Sequence, residues 1–474
     1  MGGFFGVVSR EDCITDLFYG TDYHCHLGTR RGGLAVANGD GIKRVIHDIT
    51  NTQFRSKFDS DISRLHGRKG IGVISDYEDQ PLIIGSHLGT YGIVTVGVIN
   101  NAEQLTRQAF SIRTTHFSEM SGNCINSTEI IATLINQEES FESGIQNALS
   151  SIDGSCSLLL LTRDGMYAAR DLWGRTPVII GKNGNGYCAA FETCAFPNLG
   201  YEVVHELGPG EVVFFNEDGF ETRVAPQKQM QFCSFMWVYY GYPASTYEGI
   251  NVEDSRYRCG VALAKNDTVT ADFAAGIPDS GIAHALGYAA HAGIPYRRPF
   301  VKYSPTWSRS FMPQVQNMRN LVARMKLIPI KELTRNARIL FCDDSVVRGT
   351  QLHDTFERIF SYGAREIHLR PACPPLLFGC KYLNFSRSRS ELDLACRRAI
   401  KELEGENITD IQQYLNPESE KYQAMIEIIR RKMGITTLVY QKLPDMIEAL
   451  GIPREKLCTY CWDGCEGPCK KTTA

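Results

Sequence analysis

The sequence lacks an excess of charge of either sign: 50 lysines and arginines stand against 53 aspartates and glutamates in 474 residues, for a net charge of −3. A nucleic-acid surface needs a basic patch or stripe, and the scattered Lys and Arg supply none. No run of ~18 apolar residues occurs, so no membrane-spanning helix is expected. The opening MGGFFGVVSR has neither a basic n-region nor a long apolar core, which argues against export and for a cytoplasmic chain. Met1 and Gly2 begin a myristoylation pattern, but Gly6 stands where Ser or Thr is required. Internal repeats and low-complexity segments are also lacking, which excludes solenoids and leaves a globular chain of about three domains on length alone. Apolar content of 43% is ample for buried cores, and cysteine is plentiful at 16. In a reducing compartment the clustered cysteines point to a metal and the dispersed ones to core positions.

From residue 1 to about 230 the chain reads as short β-rich runs broken by glycine: FFGVV, GLAVA, IGVIS, GIVTVGVI, CSLLLLT, PVIIG and GEVVFF. A helical interval lies between Glu129 and Leu149, where IIATLI and IQNALS carry apolar residues at helical spacing. This half is expected to be an α+β layered domain with sheet packed on sheet. From about residue 231 strands alternate with longer helical patterns, in DFAAGIP, GIAHALGYAAHAG, IPYRRPFV, ILFCDD, QLHDTFERIFSYG and EIHLRP. Such alternation predicts a parallel sheet with crossover helices. Residues 386–434 read as charged and helical, and the arginines of SRSRSELDLACRRAI as a solvated helix face.

Within the second half, ILFCDDSVVRGTQ (339–351) places two adjacent carboxylates at the end of an apolar strand. Like charges ~4 Å apart repel by roughly 4 kcal/mol at the effective dielectric of a protein surface, so a ligand is expected to offset the cost. Ile339 to Cys342 read as a strand buried on both faces. Leu352, Phe356, Ile359 and Phe360 form the apolar stripe of a following helix that Gly363 ends. Open α/β sheets bind ligands at this point, beyond the carboxyl end of a strand. Amides of Arg348, Gly349 and Thr350 at the helix start suit a phosphate, with hydroxyls of Ser345 and Thr350 beside them. Asp343 and Asp344 suit sugar hydroxyls or a metal, so the loop as a whole suits a phosphorylated ribose. An aspartate cap at an ordinary turn is the plain alternative, and the full order of strand, DD, S, RGT and helix favours the ligand.

CDDSVVRGTQ resembles the phosphoribosyl pyrophosphate signature of type I phosphoribosyltransferases. Over nearly the whole chain the surroundings resemble the glutamine phosphoribosylpyrophosphate amidotransferase (amidophosphoribosyltransferase) family of purine synthesis. The resemblance also rests on GIPDSGIAHALGYAAHAGIPY (276–296), RMKL (324–327), FETCAF (191–196), GPGEVVFFNEDG (208–219) and EGINVEDSR (248–256). It implies an α+β N-terminal nucleophile hydrolase-like layered domain in residues 1–230. An α/β type I phosphoribosyltransferase domain with a parallel sheet follows in residues 231–474, with a helical and Cys-rich tail.

The resemblance further implies a pentosyltransferase that binds phosphoribosyl pyrophosphate. The 5′-phosphate would lie on Ser345, Val346, Val347, Arg348, Gly349 and Thr350, and the ribose hydroxyls on Asp343 and Asp344. Mg²⁺ would be held by Ser280, Asp343 and Asp344. Asp279 and Ser280 match the pyrophosphate loop, and Lys326 matches a cation on that leaving group. Asp343, Asp344 and Lys326 are thereby the expected catalytic residues. A metal and a lysine there would stabilise developing charge more in the transition state than in the ground state. The family's mobile loop corresponds to VKYSPTWSRSFM, which keeps Lys302, Arg309 and Phe311 and differs from Ser304 to Ser308. Homo-oligomers and purine nucleotide feedback ligands are implications of the resemblance as well.

Cys458 and Cys461, two residues apart, can aim both thiolates at one metal. The resemblance extends this pair to Cys233, Cys380, Cys458 and Cys461 as ligands of a structural [4Fe-4S] cluster. A local zinc knot from Cys458, Cys461, Cys465 and Cys469 is the alternative. Cys13, Cys25, Cys124, Cys156, Cys188, Cys194, Cys259, Cys342, Cys373 and Cys396 are expected to be small buried core residues.

Members of the family release ammonia from glutamine with an N-terminal cysteine whose α-amine serves as base. Here Gly2 occupies that place. Ser75 stands where an arginine grips the glutamine carboxylate, Val96 precedes Gly97 where an Asn-Gly pair builds the oxyanion hole, and Ser127 replaces an aspartate. Cys13 and Cys25 are internal, without a free α-amine. Gly3, Phe5, Gly6, Asp171, Gly174, Arg175 and Pro177 persist, so a folded but inactive glutaminase half is expected. The resulting expectation is transfer of the phosphoribosyl group to ammonia, from solution or from a partner glutaminase. A non-catalytic homologue that senses phosphoribosyl pyrophosphate or nucleotides is the second reading.

Overall fold

A computed structural model describes residues 2–111, 116–121, 124–303, 327–383, 391–405 and 410–467, without the side chains of 350 and 351. In the first half the elements used below are β1 (Gly3–Ser9), α1 (Ile14–Asp22), β2 (Arg31–Asn38), β3 (Gly41–Asp48), β4 (Lys69–Ser75), β5 (Leu82–Ser86), β6 (Gly89–Ile99), α2 (Ser127–Ile135), α3 (Phe141–Ser151), β7 (Gly154–Leu161), β8 (Met166–Ala169), β9 (Ile179–Lys182), β10 (Gly186–Ala190), β11 (Glu202–Glu206), β12 (Val212–Phe215) and β13 (Phe220–Val224). They form two antiparallel sheets, ordered β11-β9-β10-β1-β4-β2-β3 and β13-β12-β8-β7-β6-β5.

Strand β7 explains the layering. Its GSCSLLLL is buried along nearly its whole length, yet successive side chains still point to opposite faces. Leu159 and Leu161 join the core between the sheets. Leu158 and Leu160 pack with Ile131, Ile135, Ile145 and Leu149 of α2 and α3. With α1 against β1 and β4 on the far side, the result is helix, sheet, sheet, helix. The helical interval read from sequence is two helices, because Ser140 caps the second by accepting from Ser143 N.

The second half contributes β14 (Phe232–Cys233), α4 (Val252–Lys265), β15 (Phe273–Gly276), α5 (Gly281–Ala292), β16 (Arg338–Asp343), α6 (Thr350–Ser361), β17 (Glu366–Pro371), α7 (Ala395–Glu404), α8 (Glu420–Met433), β18 (Thr437–Leu438), β19 (Leu457–Cys458) and α9 (Tyr460–Asp463). Strands β15-β16-β17-β18 make a parallel sheet. Ile339, Leu340, Phe341 and Cys342 are fully buried, as a central parallel strand requires. Leu340 and Cys342 share a core with Cys259 and Ala285 of α4 and α5. Ile339 and Phe341 share another with Phe356, Ile359, Met425 and Ile429. No helix among the described residues is long and apolar enough to cross a membrane.

Truncating Leu160, fully buried between β7 and the α2/α3 layer, leaves a cavity with little means to collapse. Leu160→Ala is expected to destabilise this half by ~2–5 kcal/mol and to lower the thermal midpoint by several degrees in a circular-dichroism melt.

Candidate functional sites

The acidic pair sits where β16 ends. Asp343 is its last residue, and Asp344 begins the turn to α6. Ser280 reaches the pair because α5 starts very close to β16. A Cβ on Gly281 would lie 2.4 Å from the Cys342 carbonyl oxygen, so only glycine permits this approach. Ile277 N donates to that same carbonyl at 2.9 Å. Ser280 Oγ then donates to Asp344 Oδ1 at 2.5 Å and Ser345 Oγ to Asp344 Oδ2 at 2.6 Å, while Asp344 N donates to Asp343 Oδ1 at 3.0 Å.

Both carboxyls are about 5% exposed. Burial first, and the neighbouring Asp344 charge second, raise Asp343 well above the usual carboxylate range. Asp344 is raised by burial, against the hydroxyls of Ser280 and Ser345 and the charge of Arg256. Arg256 was not singled out in the sequence. It is buried in α4 and spends its guanidinium on the carbonyls of Trp237, Tyr239 and Gly241 at 2.8–2.9 Å, so it lends field but no hydrogen bond to the pair. The donor set, two buried carboxylates and a serine hydroxyl short of positive charge, fits a hard divalent cation such as Mg²⁺.

Beside the pair, the turn 345–349 forms a cradle. Among the described residues its backbone amides donate no hydrogen bond. Gly349 caps α6 at φ +75°, a left-handed conformation favouring glycine. The turn is fixed through its carbonyls instead: Ala395 N donates to Val347 O at 2.8 Å, and the Arg398 guanidinium to Arg348 O. Free amides at the start of a 12-residue helix suit an anion. Opposite, Lys302 Nζ pairs with Asp279 Oδ2 at 2.5 Å, both half exposed. Lys326, Arg309 and Phe311 lie outside the described residues.

A second constellation lies at the junction of the halves. Parallel strands β14 and β19 put Cys233 opposite Cys458. Cys461 on α9 accepts from the amides of Leu377 and Phe378 at 3.1 Å, which draws in the segment carrying Cys380. The Cys461 thiol hydrogen-bonds with Cys380 and feels the charges of Cys233 and Cys458. The four cysteines are therefore brought to one place. No three of them fall within 4.8 Å of one another, whereas thiolates on a single tetrahedral zinc, with Zn–S of ~2.3 Å, stand ~3.8 Å apart. Cys465 is disulfide-bonded, and Cys469 lies outside the described residues. The four-sulfur set fits an iron-sulfur cube better than a zinc knot. Of the remaining cysteines, Cys124 departs from the expectation of burial: it is exposed on a short β-hairpin, and Cys25 is half buried.

The third constellation gathers the substituted glutaminase positions. Gly2, Ser75, Val96 and Gly97 line one cavity together with Glu78 and Thr95, and it holds only about 30 Å³, room for a water or two. A Cβ on Gly2 would meet the Ile74 carbonyl oxygen at 2.3 Å. Ser75 Oγ accepts from Tyr77 N and Glu78 N at 3.2 Å. Glu78 hydrogen-bonds to Ser127, and burial raises its carboxyl. Where a cation and an amide pair would hold an amino acid, the walls bond to one another.

A turn of amides at a helix start beside an acidic pair at the end of a parallel strand, joined to a two-sheet layered half, is the architecture of a type I phosphoribosyltransferase fused to an N-terminal nucleophile hydrolase-like domain. No family model matches the chain. Amidophosphoribosyltransferases do match: that of Bacillus subtilis is 30% identical over 88% of this chain and 88% of its own length. That of Methanocaldococcus jannaschii is 29% identical over 98% and 97%. The solved B. subtilis glutamine phosphoribosylpyrophosphate amidotransferase, in complex with ADP and GMP, superposes with a TM-score of 0.81 at 26% identity and covers 99% of this chain and 98% of that one. The chain belongs to the amidophosphoribosyltransferase family, pentosyltransferases of purine biosynthesis.

Because burial raises their folded pKa values, Asp343 and Asp344 weaken the ligand-free fold as pH climbs from the ordinary carboxylate pKa toward the raised values; the penalty is complete above the raised values and absent below the ordinary one. Asp343→Asn is therefore expected to raise the ligand-free thermal midpoint by a few degrees at about pH 8, an advantage that shrinks toward about pH 4 in melts across that range.

Proposed function

We propose that the chain binds phosphoribosyl pyrophosphate with Mg²⁺ and forms phosphoribosylamine with release of pyrophosphate, taking ammonia rather than glutamine as amine donor. The observation that carries this reading is the cradle itself: five amides that donate to no partner among the described residues, beside a buried acidic pair to which Ser280 is bonded. The amides and Ser345 hold the 5′-phosphate, and Asp343 and Asp344 accept from the ribose hydroxyls. Lys302, now paired with Asp279, can turn to the leaving pyrophosphate; the family resemblance assigns Lys326 as a second cation there. A bound Mg²⁺ supplies charge neutralisation at the carboxylates and the leaving group. The nitrogen lone pair forms the bond to the anomeric carbon as the bond to the pyrophosphate oxygen breaks, and a proton leaves the product ammonium. No base is needed once ammonia arrives unprotonated. Electrostatic positioning is the protein's main contribution.

The inactive glutaminase half is supported by the cavity around Gly2. Nucleophile, anchor and oxyanion donor are absent, and the space is too small for an amino acid. Ammonia then comes from solution or from a partner glutaminase. Cys233, Cys380, Cys458 and Cys461 hold a [4Fe-4S] cluster that ties the tail to the junction of residues 1–230 and 231–474. The ADP and GMP on the B. subtilis relative make purine nucleotides the expected feedback ligands. The family resemblance makes a cytoplasmic homo-oligomer the expected form.

Pyrophosphate release from the purified chain with phosphoribosyl pyrophosphate and Mg²⁺ tests the reading. Ammonium is expected to drive release, and glutamine is not. Restoring the thiol alone is not expected to change this, because the backbone of β4 fills its place: Gly2→Cys should remain inert to glutamine. Glutamine-driven release by the natural chain would overturn the inactive half. Binding without turnover under ammonium would favour a phosphoribosyl pyrophosphate-sensing homologue, the reading that the altered Ser304–Ser308 segment supports.

A further inference from the structure

The first half keeps a buried arginine that no glutaminase role explains. Arg175 sits in the turn 171–177 after β8, which Asp171 organises by accepting from Trp173 N at 3.1 Å, Arg175 N at 2.6 Å and Ser155 Oγ at 2.5 Å. Its carbonyl accepts from Cys233 N at 3.1 Å. Its side chain is 4% exposed, and the guanidinium carbon stands 3.7 Å from the centre of the Tyr382 ring. The guanidinium is within hydrogen-bonding reach of the Cys458 sulfur, while Nε and Nη1 are buried without any hydrogen-bond partner.

A buried guanidinium with two nitrogens unpartnered and no counter-ion among the described residues is costly in a protein interior. The groups shown against its head are the Cys458 sulfur and the Tyr382 ring, so the missing partner is an anionic group beside that sulfur. A cluster held by four thiolates carries net negative charge and accepts N–H···S bonds, and both properties tune it. Lys381, also near Tyr382, is already paired with Glu466.

We propose that Arg175 is the positioning counter-charge of the cysteine centre, and that the retained amidotransferase-like half serves to present it. The proposal rests on the four-cysteine cluster reading above. Through its carbonyl Arg175 fixes the Cys233 strand, and through its guanidinium it offsets the charge of the cluster and donates to its sulfurs. Losing the cation makes the centre harder to reduce and quicker to fall apart.

The test uses the full-length chain purified without oxygen: wild type, Arg175→Met, Arg175→Gln, Arg175→Lys and, as a control, Cys458→Ser. The readouts are iron and sulfide per chain, visible absorbance, its bleaching rate in air, and midpoint potential by redox titration, with a thermal melt of each cluster-free protein. Arg175→Met is expected to bleach roughly tenfold faster, the scale of an outer partner's effect on metal retention, with a more negative midpoint; Arg175→Lys should recover part of both. Arg175→Gln keeps a planar donor without the charge, so it carries the test if the Met variant does not fold, and its midpoint should fall too. Wild-type iron content, bleaching and midpoint in either uncharged variant would overturn the proposal while leaving the cluster in place. A wild-type chain that takes up no iron would overturn the cluster reading, and this proposal with it.

Discussion

Charge buried without its partner is the constraint around which this molecule is organised. Packing can supply a few kcal/mol per side chain, but an uncompensated interior ion costs as much or more, so it persists only where something arrives to meet it. Two such places lie in the second half and at its border. The acidic pair at the end of β16 is deficient in positive charge, and the guanidinium of Arg175 is deficient in negative charge. Each has a neighbour engaged elsewhere: Arg256, whose charge favours the ionised Asp344, donates to three carbonyls, and Asp171, which shapes the Arg175 turn, accepts from two amides and a hydroxyl. The scaffold is satisfied so that the sites need not be.

The cavity at Gly2 shows the reverse condition. Polar groups that would face an amino acid bond to their own chain, with Ser75 turned to the amides of Tyr77 and Glu78 and Gln80 clamping Thr95 through its side-chain amide at 2.7 and 3.1 Å. A self-satisfied wall has no deficit for a ligand to relieve. This contrast separates the two halves more sharply than the fold does, since both keep the layers of their family.

Much of this was legible in the primary structure for local reasons. β7 and β16 announce themselves as short apolar runs, and the DD-S-RGT turn carries its chemistry in adjacent residues. β3 was missed because GIKRVIHD lies largely at an exposed sheet edge, where no buried face imposes alternation. Arg256 was opaque for another reason: in sequence it is one basic residue among 50, and only tertiary contact decides that it lends its field to Asp344. Arg175 stood out as a retained feature of the fold, but its meeting with Cys458 is also a matter of tertiary contact. The convergence of Cys380 on Cys461 likewise depends on two backbone hydrogen bonds between segments more than 80 residues apart, which no spacing rule encodes.

The two-residue pairing of Phe232–Cys233 with Leu457–Cys458 brings together positions 225 residues apart (458 − 233). A cross-link across so long a loop robs the denatured chain of ~5 kcal/mol of entropy at room temperature. An inorganic clasp there would act as a late-closing buckle around the entire transferase half. Its presence or loss would set how long the enzyme survives, independently of any step it catalyses.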